Sequence, residues 1–366
     1  MKKIKGKTVV VGGTFDVLHK GHTALLKKAF SLGRVILGLT SDKYVKRKRR
    51  SIKSYVERNK NLKEFIDSNF SNNFEIYKTE DRFGVTLEKD FDYIVVSPET
   101  FKTAKEINKK RKKIGRKSIK IIKIPFVLGK DGKPISSSSL AFSYEGIIKK
   151  LKSLANKKNR EGMIRFGISS KNTLGISTYF LRDIAKEIGK NHNLALKLWD
   201  SKIHEARLLA GFIADPKKLT EKEMEKWVKK IDSWDICDQV CSSLFDKTIF
   251  AKKKVFEWTK RKEEFVKRSG FALIAVLSIH DKEASNAFFE KFFPIIKREA
   301  IDERNFVKKA VNWALRQIGK RNLVLNGRAI KVATDISKID SKSAKWIASN
   351  ALTELNIKRK LMQKSK

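Results

Sequence analysis

The chain has 366 residues, and its 83 Lys+Arg against 40 Asp+Glu give a formal net charge of +43 at pH 7. The length favours two domains, and 41% hydrophobic residues exclude a polycation without a packed core. No run of 18 apolar residues exists, the N-terminal MKKIKGK precedes a strand rather than a signal-type apolar segment, and the two cysteines exclude a disulfide framework. A soluble cytoplasmic protein with no membrane partner is expected.

Charge alone does not name a partner. Residues 1–150 hold 36 basic and 15 acidic side chains, the remainder 47 and 25, so both halves are strongly basic. Tryptophan and strand patterning divide the chain better. All six tryptophans and both cysteines (Cys237 and Cys241, one helical turn apart and read as buried thiols) follow residue 198. Strand-like runs occur only before residue 130. The expected organisation is a strand-containing domain over 1–148, a basic linker over 149–162, a helical domain over 163–357 and a basic tail over 358–366.

Taken in order, VVV (9–11) reads as a buried parallel strand that runs into Gly12 and Gly13. The two glycines let the backbone approach a bulky anion. His-x-Gly-His (19–22) then opens a helix whose free N–H groups and dipole favour negative charge. His19 and His22 add donors, and Thr14 adds a hydroxyl. VILGLT (35–40) is a second strand, followed by the basic loop SDKYVKRKRR at a strand's C-terminal end, where ligands bind in open α/β sheets. Residues 54–70 are helical, 73–79 and 92–97 are strands, 100–115 are a helix, and 118–127 form a last strand. The alternation predicts a doubly wound α/β parallel sheet.

GGTFDVLHKGH (12–22), GLTSD (38–42), IVVSPET (94–100), EINKKR (106–111) and ISSSSL (135–140) follow one another in the order found in archaeal-type phosphopantetheine adenylyltransferases, which the chain from Lys7 to about Gly146 resembles. That family belongs to the HxGH nucleotidyltransferase superfamily. The resemblance implies transfer of AMP from ATP to 4′-phosphopantetheine, with Mg2+ accompanying the ATP. It makes Thr14 the orienter of the acceptor phosphate and His22 the stabiliser of charge on the ATP phosphates. His19, Gly12, Gly13, Phe15, Asp16 and Gly21 would line the same pocket. Arg111 and Lys43 (or Lys46) would meet phosphate, and Ser136, Ser137 and Ser138 would bond the triphosphate. Ser139 stands where the family has an arginine, with Lys130 and Lys133 as nearby replacements. FMN or CTP chemistry is the alternative within the superfamily.

From Ser177 onward the pattern is helical, predicting an all-α second half. FVKR (265–268) and FVKK (306–309) recur at an offset of 41 residues, the spacing of HEAT-type helix pairs in an α-solenoid. SWDICDQV (233–240) sets Trp234 and Asp238 four apart on one helix face. With Arg268 in VKRSG and Trp313 in VNWALR, this half resembles the HEAT-like DNA alkylation repair family, the alkylpurine DNA glycosylases. The resemblance implies double-stranded DNA carrying N3- or N7-alkylated purines as the partner, with no cofactor. Asp238 would stabilise the oxocarbenium-like sugar and position water. Trp234 and Trp313 would pack on the cationic nucleotide and Arg268 would hold a backbone phosphate. Trp199 reads as repeat packing and Arg207 as a groove residue. No histidine or cysteine spacing suggests a metal. A DNA-binding solenoid that excises nothing is the rival reading for this half, and a nucleotidyltransferase half that has lost transfer is the rival for the other.

Overall fold

The computed structural model describes residues 6–45, 52–70, 73–129, 132, 134–169 and 171–364, without the side chains of Ser138 and Ser139. Lys46, Lys130 and Lys133 lie outside the described residues. The chain divides into two compact units after Ile147.

The first unit is a five-stranded, all-parallel sheet in the order β3-β2-β1-β4-β5. Its strands are β1 (Thr8–Gly13), β2 (Arg34–Thr40), β3 (Phe74–Thr79), β4 (Tyr93–Val96) and β5 (Lys120–Lys123). Its helices are α1 (Lys20–Phe30), α2 (Asp42–Val45), α3 (Tyr55–Asn69), α4 (Phe101–Lys113), α5 (Ser137–Ala141) and α6 (Tyr144–Ser153), the last containing the division. Strand alternation sends β1 side chains into two cores. Val9 and Val11 join Leu26, Leu62 and Ile66 from α1 and α3, whereas Val10 joins Ala104 and Ile107 from α4. Burial on both faces explains why β1 and β2 are continuous apolar runs. The chain order reverses between β1 and β4, which makes the carboxyl ends of those strands the switch point of the sheet. The last strand is shorter than the apolar run 118–127 predicts, because only Lys120–Lys123 pairs with β4.

The second unit is helical among its described residues. It comprises α7 (Lys157–Arg165), α8 (Thr178–Ile188), α9 (His192–Asp200), α10 (His204–Ile213), α11 (Glu221–Val228), α12 (Trp234–Ser243) and α13 (Ala251–Trp258), then α14 (Glu264–His280), α15 (Asn286–Glu290), α16 (Phe292–Glu299), α17 (Asn305–Gly319), α18 (Leu323–Ser337) and α19 (Lys342–Lys364). The segment expected as a linker holds the end of α6 and most of α7. Starts are specified locally: Thr220 and Glu223 form a reciprocal capping box on α11, and Asn191 and Asn322 cap α9 and α18. Trp199 and Trp227 stack with centroids 4.2 Å apart and planes 2° from parallel, locking α9 to α11. The hydrophobic helix α14 runs through the core, and Gly270 lets α13 approach it, since a Cβ there would lie 2.7 Å from the Thr259 nitrogen. The repeated starts FVKR and FVKK are the first turns of α14 and α17, whose Phe265 and Phe306 rings lie 5.5 Å apart. Cys237 and Cys241 are buried free thiols.

Candidate functional sites

In the first unit, β1 delivers Gly12, Gly13 and Thr14 to the rim of a cavity of about 240 Å³ at the carboxyl ends of the strands. Val10, Gly38, Phe83, Val96 and Ile107 give the cavity an apolar lining. A Cβ on Gly12 would meet nothing within 4 Å, so its backbone faces open space. A Cβ on Gly13 would lie 2.8 Å from the Phe15 ring. Phe15 is buried at φ 45, a left-handed conformation costing roughly 1–2 kcal/mol for a side-chain-bearing residue, so the turn is held by its surroundings.

Those surroundings centre on Arg58, which the sequence reading passed over. Its guanidinium is fully buried and donates to the Thr14 carbonyl (3.0 Å), the Lys53 carbonyl (2.8 Å), Thr40 Oγ1 (3.4 Å) and Asp42 Oδ1 (3.1 Å). Thr40 Oγ1 in turn donates to Thr14 Oγ1 at 3.3 Å. Asp16 accepts from the Lys53 amide at 3.0 Å, so it braces the turn from the other side.

His19 caps α1: its Nδ1 accepts from the Gly21 amide at 3.1 Å, which leaves the proton of the neutral ring on Nε2. The His19 and His22 rings lie 3.9 Å apart, and Phe15 sits 5.0 Å from His22. Burial, with a smaller contribution from His19, lowers His22 to about 3, and burial lowers His19 as well. His22 Nδ1 is buried without a hydrogen-bond partner among the described residues. A Cβ on Gly21 would lie 3.7 Å from the Ile135 carbonyl, and Ser137 Oγ donates to the Val17 carbonyl at 3.1 Å, so the serine segment lies beside the histidines. Ser136 precedes α5 there.

Of two predicted phosphate ligands, one is placed differently. Lys43 is exposed on α2. Arg111 is buried under α4 and donates to the carbonyls of Lys117 (2.7 Å), Lys89 (2.8 Å) and Thr86, and to Asp90 (2.5 Å). With every nitrogen committed to backbone or Asp90, it ties the helix to the sheet edge instead of facing phosphate. Among the described residues no group of three His, Cys, Asp or Glu is placed to hold a metal ion.

In the second unit, α12, α14 and α17 converge on an open cavity of about 500 Å³ lined by Arg165, Phe166, Trp234, Arg268, Phe306 and Lys309. Trp234 Nε1 donates to the Phe166 carbonyl at 2.9 Å. Asp238 stands one turn behind Trp234, and Arg268 Nη2 donates to both its oxygens at 2.9 and 2.8 Å, while Nη1 donates to the Phe306 carbonyl at 2.6 Å. Arg268 was expected to reach a phosphate; in this structure it latches the carboxylate instead. Burial pushes the Asp238 carboxyl up, and Arg268 pulls it down without cancelling the burial. For Arg268 burial acts downward, yet Asp238 leaves it more firmly protonated than usual. Arg268 is the more deeply buried of the two and keeps its proton at neutral pH, and both Asp238 oxygens are occupied as its acceptors.

Beside this pair, His204 Nε2 meets Asp235 Oδ2 at 2.7 Å. Burial pushes Asp235 up, but His204, with Ser233 and the Ile236 amide, more than reverses it. Trp313 does not line the cavity; it is half-buried one turn beyond Lys309 along α17. Trp199 is repeat packing, and Arg207 is tied to Asp232 (3.0 Å) and the Lys230 carbonyl (3.3 Å). Phe166 gave no sequence signal, because Phe-Gly in a basic stretch reads like any core contact. Lys309 was visible as the repeat partner of Arg268.

A parallel sheet whose first strand passes through paired glycines into a His-x-Gly-His helix start defines a nucleotidyltransferase-type domain, and the paired helices define a HEAT-like solenoid. Residues 147–355 match the family described as DNA alkylation repair enzyme, and residues 10–141 match the cytidylyltransferase-like family. Phosphopantetheine adenylyltransferase of Methanosarcina acetivorans is 45% identical over 138 residues, covering 36% of this chain and 88% of the relative. A bifunctional phosphopantetheine adenylyltransferase/NTP phosphatase of Thermoplasma volcanium is 46% identical over 134 residues, 36% of this chain and 40% of the relative. A solved structure described as a new family related to the HEAT-like repeat DNA glycosylases with affinity for branched DNA structures aligns with TM-score 0.52 at 21% identity, over 59% of this chain and 95% of that one. The chain belongs to the DNA alkylation repair enzyme family through its second unit and to the phosphopantetheine adenylyltransferase family through its first. Among the described residues no helix is long and apolar enough to cross a membrane.

Proposed function

We propose that the first unit transfers AMP from ATP to 4′-phosphopantetheine. A phosphate oxygen of the acceptor attacks the α-phosphorus in line, the α–β bridging bond breaks, and pyrophosphate leaves with dephospho-coenzyme A as product. No bond to the protein forms, so the protein's part is positioning and charge stabilisation. The observation that carries this reading is the meeting of an apolar cavity with the Gly12–Thr14 rim. The cavity suits the alkyl and amide arm of the acceptor, and the rim holds its phosphate beside Thr14. His19 Nε2–H and His22 then serve the triphosphate at the start of α1. Formation of dephospho-coenzyme A and pyrophosphate from ATP and phosphopantetheine tests the reading; turnover only with CTP or FMN would replace the substrate.

The second unit, in this proposal, binds DNA and excises N3- or N7-alkylated purines, with Asp238 stabilising the sugar cation and Trp234 packed against the nucleotide. It rests on Trp234, Arg268 and Lys309 lining one cavity with Asp238 directly behind. The latch of Arg268 on both Asp238 oxygens favours a second reading, a unit that binds DNA without excision. Base release from methylated duplex separates the two. Release of 7-methylguanine or 3-methyladenine, lost in Asp238→Asn, supports excision. DNA binding with no release leaves a binding module.

A further inference from the structure

The Thr14 hydroxyl at the rim of the first cavity belongs to a chain of hydrogen bonds whose direction is fixed from its far end. That end is Arg58, in the first turn of α3, where Ser54 Oγ caps the helix by accepting from the Glu57 amide at 3.2 Å. A guanidinium has donors only, so every contact it makes is a donation. Its Nη1 carries two hydrogens, which serve the Thr14 carbonyl at 3.0 Å and Thr40 Oγ1 at 3.4 Å. Thr40 Oγ1 accepts there and directs its single hydrogen to Thr14 Oγ1 at 3.3 Å. The reverse order would leave the hydrogen of buried Thr40 without an acceptor among the described residues, which burial penalises. Thr14 Oγ1 is therefore an acceptor toward Thr40, and its own hydrogen is the one it gives away.

Both hydroxyl contacts are long, as catalytic hydrogen bonds commonly are until substrate tightens them. The turn that carries them is held at both ends. Arg58 Nε donates to the Lys53 carbonyl at 2.8 Å, and the Lys53 amide donates to Asp16 Oδ1 at 3.0 Å. Arg58 is fully buried, and the carboxylate it meets, Asp42 at 3.1 Å, is half-exposed. A buried cation at the head of the chain makes the last hydroxyl a stronger donor, because successive bonds polarise one another. Thr14 and Thr40 both line the cavity.

We propose that Thr40, held by Arg58, is a positioning residue that fixes Thr14 as a hydrogen-bond donor, so that the site selects an acceptor ending in a phosphate monoester over one ending in a hydroxyl. The inference rests on the adenylyltransferase reading above and names the device in that site that recognises the acceptor phosphate. An anionic phosphate oxygen takes a charge-assisted bond from Thr14, roughly twice as strong as the bond a neutral hydroxyl oxygen takes.

The test uses the full chain and two ligands that differ only in the phosphate, 4′-phosphopantetheine and pantetheine. Calorimetry gives the ratio of their affinities, and pyrophosphate release gives kcat and the KM for ATP. Thr40→Val keeps the branched shape and removes the hydroxyl. It is expected to lower both kcat and the affinity ratio about tenfold, the lower end for a hydrogen bond to a charged group, with pantetheine affinity and the KM for ATP unchanged. Thr40→Ser, which keeps the hydroxyl, retains both. Adding Thr40→Val to Thr14→Val is expected to cost nothing further, because Thr40 acts through Thr14. Equal losses for the two ligands in Thr40→Val, or losses that add to those of Thr14→Val, would overturn the positioning role. If the unaltered protein forms no dephospho-coenzyme A, the transferase reading fails, and the affinity ratio in Thr40→Val still decides the positioning role by itself.

Discussion

Gly12 and Gly13 are neighbours in β1, yet the structure assigns them opposite sensitivities. A methyl added at Gly13 would sit 2.8, 3.0 and 3.1 Å from three carbons of the Phe15 ring, inside the roughly 3.5 Å optimum for carbon–carbon contact. Phe15 cannot yield cheaply: it is buried, its backbone is already in the left-handed region, and its ring abuts His22. Overpacking of this kind costs about 1–3 kcal/mol. A methyl added at Gly12 would meet no atom within 4 Å, so Gly12→Ala should leave the unit as stable as before, or gain about 0.4–1 kcal/mol through a less flexible unfolded chain. That methyl would nonetheless occupy the space where substrate approaches the backbone. Hydrogen exchange of peptides covering β1 reads the opening free energy of this unit by itself. The expected pattern is faster exchange in Gly13→Ala, unchanged or slower exchange in Gly12→Ala, and loss of pyrophosphate formation in both. Full activity in Gly12→Ala would refute the assignment of this edge as the substrate rim, and unchanged exchange in Gly13→Ala would refute the packing argument.

Two further outcomes follow from charge. His22, lowered to about 3 from an ordinary value of 6.5, is neutral in the folded unit, so the unfolded chain takes up the proton first as pH falls. The first unit should be fully stable above pH 6.5 and lose stability progressively between there and about 3; His22→Asn should flatten that decline in an exchange-against-pH series, and an unaltered slope would count against the burial argument. In the second unit, Lys254 is buried against Glu221 (2.7 Å), Glu225 (2.8 Å) and Glu257 (2.6 Å), which raise its pKa despite burial. Lys254→Met leaves those partly exposed carboxylates to water, so the expected loss is about 1–2 kcal/mol, below the range for a fully buried pair. Tryptophan fluorescence reads this unit alone, since all six tryptophans belong to it; a stabilised variant would refute the estimate.

The parallel sheet and the helical second half were legible because they depend on patterns carried along the chain: β-branched runs, glycine pairs, and helix starts repeated 41 residues apart. The His19–Gly21–His22 turn was legible for the same reason, since its geometry is local. Arginines were not. Arg58 and Arg111 both lie on polar helices, and nothing in the spacing of either distinguishes a guanidinium that reaches out from one that folds under. Arg111 was expected in the phosphate site and instead satisfies backbone carbonyls, whereas Arg58, unremarked in the sequence, supports Thr14 itself. Side-chain direction for a long, five-donor group is set by which carbonyls the tertiary fold leaves unpaired, and that information is not periodic.

The same distinction governs the second cavity. Trp234 and Asp238 share a helix, so their common face follows from spacing alone. The link from Arg268 to Asp238 crosses from α14 to α12 and depends on how closely those helices pack. Its consequence is chemical. A carboxylate bridged by a guanidinium has much of its field neutralised and is a poorer partner for a sugar cation than a free one. In the excision reading proposed above, Asp238 would need a competing anion for Arg268, which the backbone of a bound strand would supply. A phosphate held in the cavity that Arg268 lines would couple strand binding to release of Asp238 through a single side chain. A unit in which Arg268 keeps Asp238 after DNA has bound would hold DNA without cutting the glycosidic bond, and the base-release assay reads that difference directly.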